Sequence, residues 1–265
     1  GFRNVPTQEL NLPAYLELLG IPYTGAPPAA MVICFDKAIV RLVADSLDIP
    51  VPREVFVPAA MPLEELPDLL PALIKPNAAD GSVGITKDAV VRTREEALRY
   101  LDWLRTALPG RDALMQEFLP GTEYGVGVIG NPATGLRVLP PLSVDYSGLP
   151  SGLNPILSFE SKAMPDSPYW TEIKFKRAQL EPELEARLKA WSTALFKRLG
   201  LRDYGRFDFR IAEDGEPKLM EVNPNPAWAN DGKLAFMAGF AEIQYHEMLR
   251  LVLEAAIARL EKGQR

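Results

Sequence analysis

The chain is poor in the residues that build most metal and nucleophile chemistry. Its 265 residues include one cysteine, Cys34, and one histidine, His246. A single cysteine excludes an internal disulfide and a cysteine-rich zinc site. A single histidine excludes three-histidine zinc centres and paired-histidine iron centres. A Cys34/His246 dyad is formally open to the composition. Both residues sit in apolar helical context, however, where a lone cysteine is usually inert packing and the histidine reads as structural or surface. No run of 18 apolar residues occurs, so no membrane-spanning helix is expected. No secretory leader is read ahead of the fold, and a cytoplasmic location is expected. Positive charge is not in excess either. Lys and Arg total 29 against 35 Asp and Glu, a net charge of −6, and no basic stripe stands out. Nucleic acid and membrane are therefore not expected as partners. What remains for chemistry is carboxylates, lysines, arginines and a hard metal.

The length suits one large domain or two ordinary ones, with enough chain to bury roughly 70–75% of the unfolded surface. Residues 8–19 read as a short helix closed by Gly20, 26–30 as a loop, and 35–47 as a helix stopped before Ile49-Pro50. Segments 53–57, 72–75, 85–91, 113–118, 123–130 and 136–139 read as strands, and 94–107 as a helix. Segment 143–176 is long, rich in Pro and Ser and weakly periodic, which predicts a loop that is either functional or disordered. Leu184, Leu188, Trp191, Leu195 and Leu199 share one helix face, as do Tyr245, Met248, Val252, Ala256 and Leu260. Both stripes read as core. Strands and helices alternate irregularly and hairpins intervene, so the expected class is α+β rather than a doubly wound parallel sheet.

Residues 204–226 carry the most information. Arg206, Asp208 and Arg210 alternate with Phe207, Phe209 and Ile211, so the two sets lie on opposite faces of a strand. Glu221 and Asn223 share a face of the next strand, and Asp214-Gly215 between them is a strong two-residue hairpin turn. That turn sets Asp208 opposite Glu221 and Arg206 opposite Asn223, with directly opposed Cβ atoms roughly 4.5–5.5 Å apart. Two carboxylates that close repel unless a cation lies between them or one is protonated. With the Asn223 carbonyl they make three converging oxygen ligands, which suits Mg²⁺. Arg206 beside them offers a fixed charge for a developing oxyanion. The alternative is a solvated outer sheet face with an accidental acid pair.

Other segments add parts. Leu73-Ile74-Lys75-Pro76 ends a buried strand with a lysine, and Gly81, Ser82 and Gly84 follow in a loop whose backbone amides have room to meet phosphate. It is not a P-loop, which ends in Gly-Lys-Ser/Thr. Residues 116–123, Gln-Glu-Phe-Leu-Pro-Gly-Thr-Glu, form a strand, a glycine turn and the start of a second strand. Such a connector can serve a flat base through its backbone and ribose hydroxyls through Glu123; it reads equally as an interdomain hinge. Lys37 at a helix start reads by default as a surface lysine.

Taken in order, these pieces resemble an ATP-grasp enzyme of the D-alanine–D-alanine ligase branch. The markers are Leu16 to Gly25 (Leu-Glu-Leu-Leu-Gly-Ile-Pro-Tyr-Thr-Gly), Asp36-Lys37, Ile74-Lys75-Pro76, Gly81-Ser82-Val83-Gly84, Gly121-Thr122-Glu123, Tyr204-Gly205-Arg206-Phe207-Asp208 and Glu221-Val222-Asn223. The resemblance runs from about Asn11 to about Leu260. It implies two α+β subdomains clamping ATP, a small one over 27–117 and a C-terminal one over 118–265, with 1–26 left from an N-terminal domain or linker. By the same resemblance Lys37 and Lys75 hold the ATP phosphates with Ser82. Gln116, Phe118 and Leu119 line the adenine, and Leu73 and Met220 cover its faces. Glu123 binds ribose, Lys162 lies near the nucleotide on the long loop, and Asp208, Glu221 and Asn223 bind two Mg²⁺, with Mn²⁺ an admissible replacement. Arg206 and Lys162 are the implied catalytic residues. The implied reaction is phosphorylation of a carboxylate and attack of an amine on the acyl phosphate.

The departures lie on the acceptor side. The family carries an N-terminal domain, which contributes to the first amino-acid site, ahead of the point where this chain opens, so either this is a fragment or that part of the site is absent. Gly81 stands where the family has a phosphate-loop serine, and Ala163 where a tyrosine follows the loop lysine. After Asn223 the family's Pro-Gly and carboxylate-gripping serine give way to Pro-Asn-Pro-Ala-Trp-Ala-Asn-Asp-Gly-Lys over residues 224–233. Asp231 or Lys233 is then the candidate for reading a different group. This pattern points to a related ligase for another amino acid or small peptide. The competing readings are an ATP-grasp phosphotransferase and a non-catalytic nucleotide-binding module. The expected partners are small amino-acid-like molecules and, because family members are often dimers, a second copy of the chain.

Overall fold

A computed structural model describes residues 8–79 and 81–263. Two antiparallel sheets organise them. The small sheet contains β1 (Glu54–Val57), β2 (Ala72–Pro76), β3 (Val90–Val91) and β4 (Ala113–Glu117), in the order β1-β4-β2-β3. The large sheet contains β5 (Glu123–Asn131), β6 (Gly135–Val138), β7 (Leu142–Asp145), β8 (Lys174–Arg177), β9 (Asp203–Ile211) and β10 (Pro217–Asn223), in the order β10-β9-β5-β7-β8, with β6 also on β5. The class is α+β, as expected. Expected strand 85–91 shrinks to β3, because Thr86 and Ala89 are held in a turn, with Ala89 N donating to Thr86 O at 3.0 Å.

The N-terminal helices differ from the sequence reading. The expected helix over 8–19 is present as α1 (Asn11–Leu18), but segment 26–30, expected as a loop, enters α2 (Pro28–Phe35). Proline at the first helical position gives up only an N–H that has no helical partner there, and its fixed φ suits the helix. The expected helix over 35–47 is instead interrupted at Asp36, which takes extended dihedrals (φ −95°, ψ 101°) and caps α3 (Lys37–Asp45), its side chain accepting from Ile39 N at 3.0 Å. Lys37 therefore begins a helix.

The two helices after residue 27 pack away from the small sheet. Met31, Cys34, Phe35 and Val40 bury with Val126, Leu195, Phe207 and Phe209, so α2 and α3 lie on the large sheet. The small sheet is served by α4 (Arg94–Ala107), which opens with a reciprocal capping box between Thr93 and Glu96. Cys34 is thus core, while His246 is exposed, and the dyad is excluded.

Segment 143–176 is more ordered than expected. Besides the ends of β7 and β8 it holds two single-turn helices, α5 (Glu160–Ala163) and α6 (Pro168–Thr171), around the buried Tyr169. Turns this short carry no sequence period, which is why they read as loop. The segment is bonded across to the small sheet's glycine loop and its neighbours: Ser82 Oγ donates to Leu157 O at 2.7 Å, Phe159 N to Ile85 O at 2.7 Å and Arg92 Nη2 to Asn154 Oδ1 at 2.8 Å.

Three C-terminal helices close the large sheet: α7 (Pro182–Arg198), α8 (Lys233–Phe240) and α9 (Tyr245–Glu261). Of the two expected stripes, Leu188, Leu195, Leu199, Met248, Val252 and Ala256 are buried and Leu184, Trp191 and Leu260 half-buried, while Tyr245 is exposed and donates its hydroxyl to Trp228 O at 2.6 Å. Helix α8 rests against Gly127, where an added Cβ would lie 2.8 Å from Leu234 Cδ1 and 3.1 Å from both Leu139 Cδ1 and Met237 Cε. Gly127→Ala is expected to destabilise the protein by about 1–3 kcal/mol through overpacking. Urea denaturation checks this, and an unchanged midpoint would show that α8 shifts freely.

Candidate active site

The β9–β10 hairpin places Asp208 opposite Glu221 and Arg206 opposite Asn223, as the sequence predicts. The route to that register is different. The strands open on Pro217 opposite Ile211, and Ala212 N donates to Glu216 O at 2.8 Å, so the loop has three residues with Gly215 at φ +85°. The register then shifts by one between Leu219 and Glu221. The extra residue, Met220, is a β-bulge that compensates for the longer loop. The bulge puts Lys218 and Glu221 opposite Arg210 and Asp208, on one face, although they are three apart in sequence.

That face is crowded with charge. Arg206 grips Asp208 through both oxygens, Nε to Oδ1 at 2.9 Å and Nη2 to Oδ2 at 2.9 Å. Asn223 Nδ2 donates to Asp208 Oδ2 at 3.1 Å, leaving the amide oxygen for a cation. Burial alone would raise the Asp208 pKa; Arg206 and Lys233 overcome it and hold the carboxyl at about 2. Glu221 is only half-buried; loss of solvent would raise its pKa, yet Lys37, 3.5 Å away, and Lys75 and Lys162 beyond it draw its carboxyl below the usual range despite Asp208. Among the described residues no cluster of three or more His, Cys, Asp or Glu side chains forms a metal cage. Two carboxylates and an amide oxygen nonetheless fit Mg²⁺, which takes few protein ligands and completes its shell with water and phosphate.

The small sheet supplies the opposite wall. Glu54, Gln116 and Leu73 are cross-strand neighbours on β1, β4 and β2. Lys75 is buried to 3% exposure, and its ammonium donates to Gln116 Oε1 at 3.2 Å; Gln116 Nε2 in turn donates to Glu54 Oε2 at 3.2 Å. Gln116, expected against the adenine, is thus engaged at both ends in holding Lys75. Burial first, and Lys37 second, pull the Lys75 pKa down to about 8. Lys37 is buried too, not a surface lysine, and donates to Ala79 O at 2.7 Å. Leu73 is buried with Phe118 and Met220 packed on the same core, and Leu119 is buried next in the chain.

At the other end Glu123 accepts from Tyr146 Oη at 2.8 Å and from Lys233 Nζ at 3.1 Å. Burial and Glu123 raise the Tyr146 phenol well above its ordinary value, so it stays a donor. Arg210 stacks between Phe118 and Tyr146, 5.3 and 5.5 Å from the ring centroids, and donates through Nε to Gly121 O at 3.1 Å. Sequence reasoning did not select Tyr146 or Arg210 for the site. Arg210 could have been found, because it continues the Arg206-Asp208 stripe. Tyr146 lies in the segment without a period. Lys162 on α5 is exposed at the cleft rim. Loss of solvent within the cleft lowers its ammonium pKa first, then Lys233 and Arg206, while Glu221 and Asp208 oppose the shift. The Ser82 hydroxyl donates to Leu157 O at 2.7 Å.

Two antiparallel sheets, with Lys75 of the smaller one brought near the acid pair on the hairpin of the larger one, make an ATP-grasp fold. The D-ala D-ala ligase C-terminus family model matches residues 63–254, and the chain belongs to that family. It is 29% identical over 260 residues to the D-alanine–D-alanine ligase of Oleidesulfovibrio alaskensis, covering 98% of this chain and 78% of that protein. Among solved structures, D-alanine–D-alanine ligase from Bacillus anthracis superposes with a TM-score of 0.76 at 23% identity, over 97% of this chain and 78% of the other. The VanG D-Ala:D-Ser ligase of Enterococcus faecalis gives a TM-score of 0.74 at 23% identity, over 94% and 69%.

Proposed function

We propose that the chain is an ATP- and Mg²⁺-dependent ligase joining the carboxylate of one amino-acid-like molecule to the amine of another. One observation supports this above the others: Lys37, Lys75, Lys162 and Arg206 converge with Asp208, Glu221 and Asn223 on one cleft. In this reading Lys37 and Lys75 hold the nucleotide's phosphates, and Leu73, Phe118 and Met220 enclose its base. Asp208, Glu221 and Asn223 would hold Mg²⁺, which neutralises phosphate charge when bound. The γ-phosphoryl group passes to the substrate carboxylate, and ADP leaves. The amine then attacks the acyl carbon, phosphate departs with the bonding pair, and an amide remains. Arg206 faces the developing oxyanion; Asp208 fixes the orientation of its guanidinium. The run Ala227 to Lys233 favours an acceptor other than D-alanine, since no serine stands there.

Phosphate release from Mg-ATP with a panel of D- and L-amino acids tests the reading in the full-length protein. Stimulation by one amino acid or pair, with amide formed, is the expected result. Phosphate retained on the acceptor would make the protein a phosphotransferase.

Lys75 gives a pH prediction. With its pKa near 8 in the free protein, it is an ammonium below that value and neutral above it. Affinity for ATP is expected to be full below about pH 8 and to fall as pH rises through it. The KM for ATP measured across that range should rise in the wild type and stay flat in Lys75→Met. A flat wild-type profile would remove Lys75 from phosphate binding.

A further inference from the structure

We infer that this chain binds ATP with one divalent cation, because Lys233 already supplies the positive charge that a second cation would bring. The inference rests on the ATP-binding reading above. The Lys233 ammonium lies 3.1 Å from Glu123 Oε1 and 3.9 Å from Asp208 Oδ2, bridging carboxylates on β5 and β9. Carboxylates brought together in this way need a cation between them, and here the protein provides it. Lys233 is also not a mobile surface lysine. Its side chain is 10% exposed, its nitrogen is 5.9 Å from the Phe175 ring centroid, and its backbone begins α8, which is anchored by the buried Leu234 and Met237.

The neighbouring acids are unequally available. Both Asp208 oxygens already accept from Arg206, and Oδ2 also accepts from Asn223 and faces Lys233. Glu221 is paired with Lys37 at 3.5 Å and keeps 30% of its side chain exposed. One cation can enter at Glu221 and Asn223 and share an edge of Asp208. A second, toward Glu123, would have to displace Lys233.

The charge balance agrees. Lys37, Lys75, Lys162, Arg206, Arg210 and Lys233 face Glu54, Glu123, Asp208 and Glu221, six cations against four carboxylates. The cleft therefore carries two positive charges in excess. ATP brings about four negative charges, so ATP with one divalent cation complements the cleft, whereas ATP with two would leave that excess unbalanced.

Mn²⁺ in place of Mg²⁺, with a non-hydrolysable ATP analogue, tests this by electron paramagnetic resonance. The wild type is expected to hold one Mn²⁺ per bound nucleotide with the spectrum of an isolated ion. Two-metal sites place their ions roughly 3.5–4 Å apart, which couples the spins. Lys233→Met, which keeps the volume and removes the charge, is expected to take up a second Mn²⁺ and show that coupling. Two coupled ions in the wild type would overturn the inference and leave ATP binding standing. No retained nucleotide would overturn ATP binding and the inference with it. The wild-type count decides even if the variant fails to fold.

Discussion

Glu221→Gln is expected to lower Mg²⁺-dependent ATP turnover by roughly 10²–10³-fold, the loss seen when one preorganised electrostatic group is removed from a reaction centre. Glutamine keeps the size and one carbonyl oxygen but carries no charge. Glu221 is the least committed acid of the centre, paired with Lys37 at 3.5 Å and partly exposed, so a cation has the readiest access to it. The same exposure makes the fold tolerant of the change. Lys37 keeps its bond to Ala79 O, so its ammonium is not left without a partner. The melting temperature is expected to move by no more than a few degrees. Turnover and thermal unfolding measured on one preparation decide the matter. Equal loss of fold and turnover would remove Glu221 from the metal site and make it a structural acid.

The legibility of this centre in the sequence has an instructive limit. The alternation of Arg206, Asp208 and Arg210 is a local property of a strand, and it carried over to the structure directly. The pairing of Asp208 with Glu221 followed from a two-residue turn that is not there. A three-residue loop and the bulge at Met220 shift the register by one residue each, in opposite senses. The outcome survives because the two offsets cancel next to the site. Bulges depend on what the bent strand must face, and hydrophobic alternation does not report them.

Local chemistry also explains what was misread at the N-terminus. Proline at 28 is compatible with a loop or with the first turn of a helix, and only the buried partners of Met31 and Phe35 decide between them. Lys37 and Lys75 show the same division. A lysine at a helix start or a strand end is ordinary in sequence; its burial is a property of the assembled cleft. The partners of Gln116, on β1 and β2, are likewise fixed by sheet order rather than by spacing.

The largest stability effect is expected at a residue with no sequence signature, Asp203. It begins β9 with φ +67°, a conformation that Asp tolerates better than most side chains, and it is fully buried. Its carboxylate accepts from Gly25 N at 2.9 Å, Asn131 Nδ2 at 3.0 Å, and Arg259 Nε and Nη2 at 2.9 and 3.0 Å. Arg259 Nη2 also donates to Tyr23 O at 2.9 Å. One side chain thus joins the segment entering α2, the end of β5, the start of β9 and helix α9. Asp203→Asn keeps the shape and the dihedral tolerance but leaves Arg259 buried beside a neutral partner. Breaking a buried pair from one side costs about 3–5 kcal/mol, a large share of the 5–15 kcal/mol typical of a folded domain. Asp203→Asn combined with Arg259→Met removes both charges, and replacing both members of a buried pair by uncharged groups is often close to neutral. The double variant is therefore expected to be more stable than the single one, a coupling that a double-mutant cycle in urea measures. A double variant no more stable than Asp203→Asn alone would mean that hydrogen-bond geometry around Asp203, and not its charge, holds these four elements together. Because β9 runs from Asp203 to Arg206 and Asp208, the same loss is expected to loosen the strand that carries the site, so ATP turnover should fall at temperatures below global unfolding.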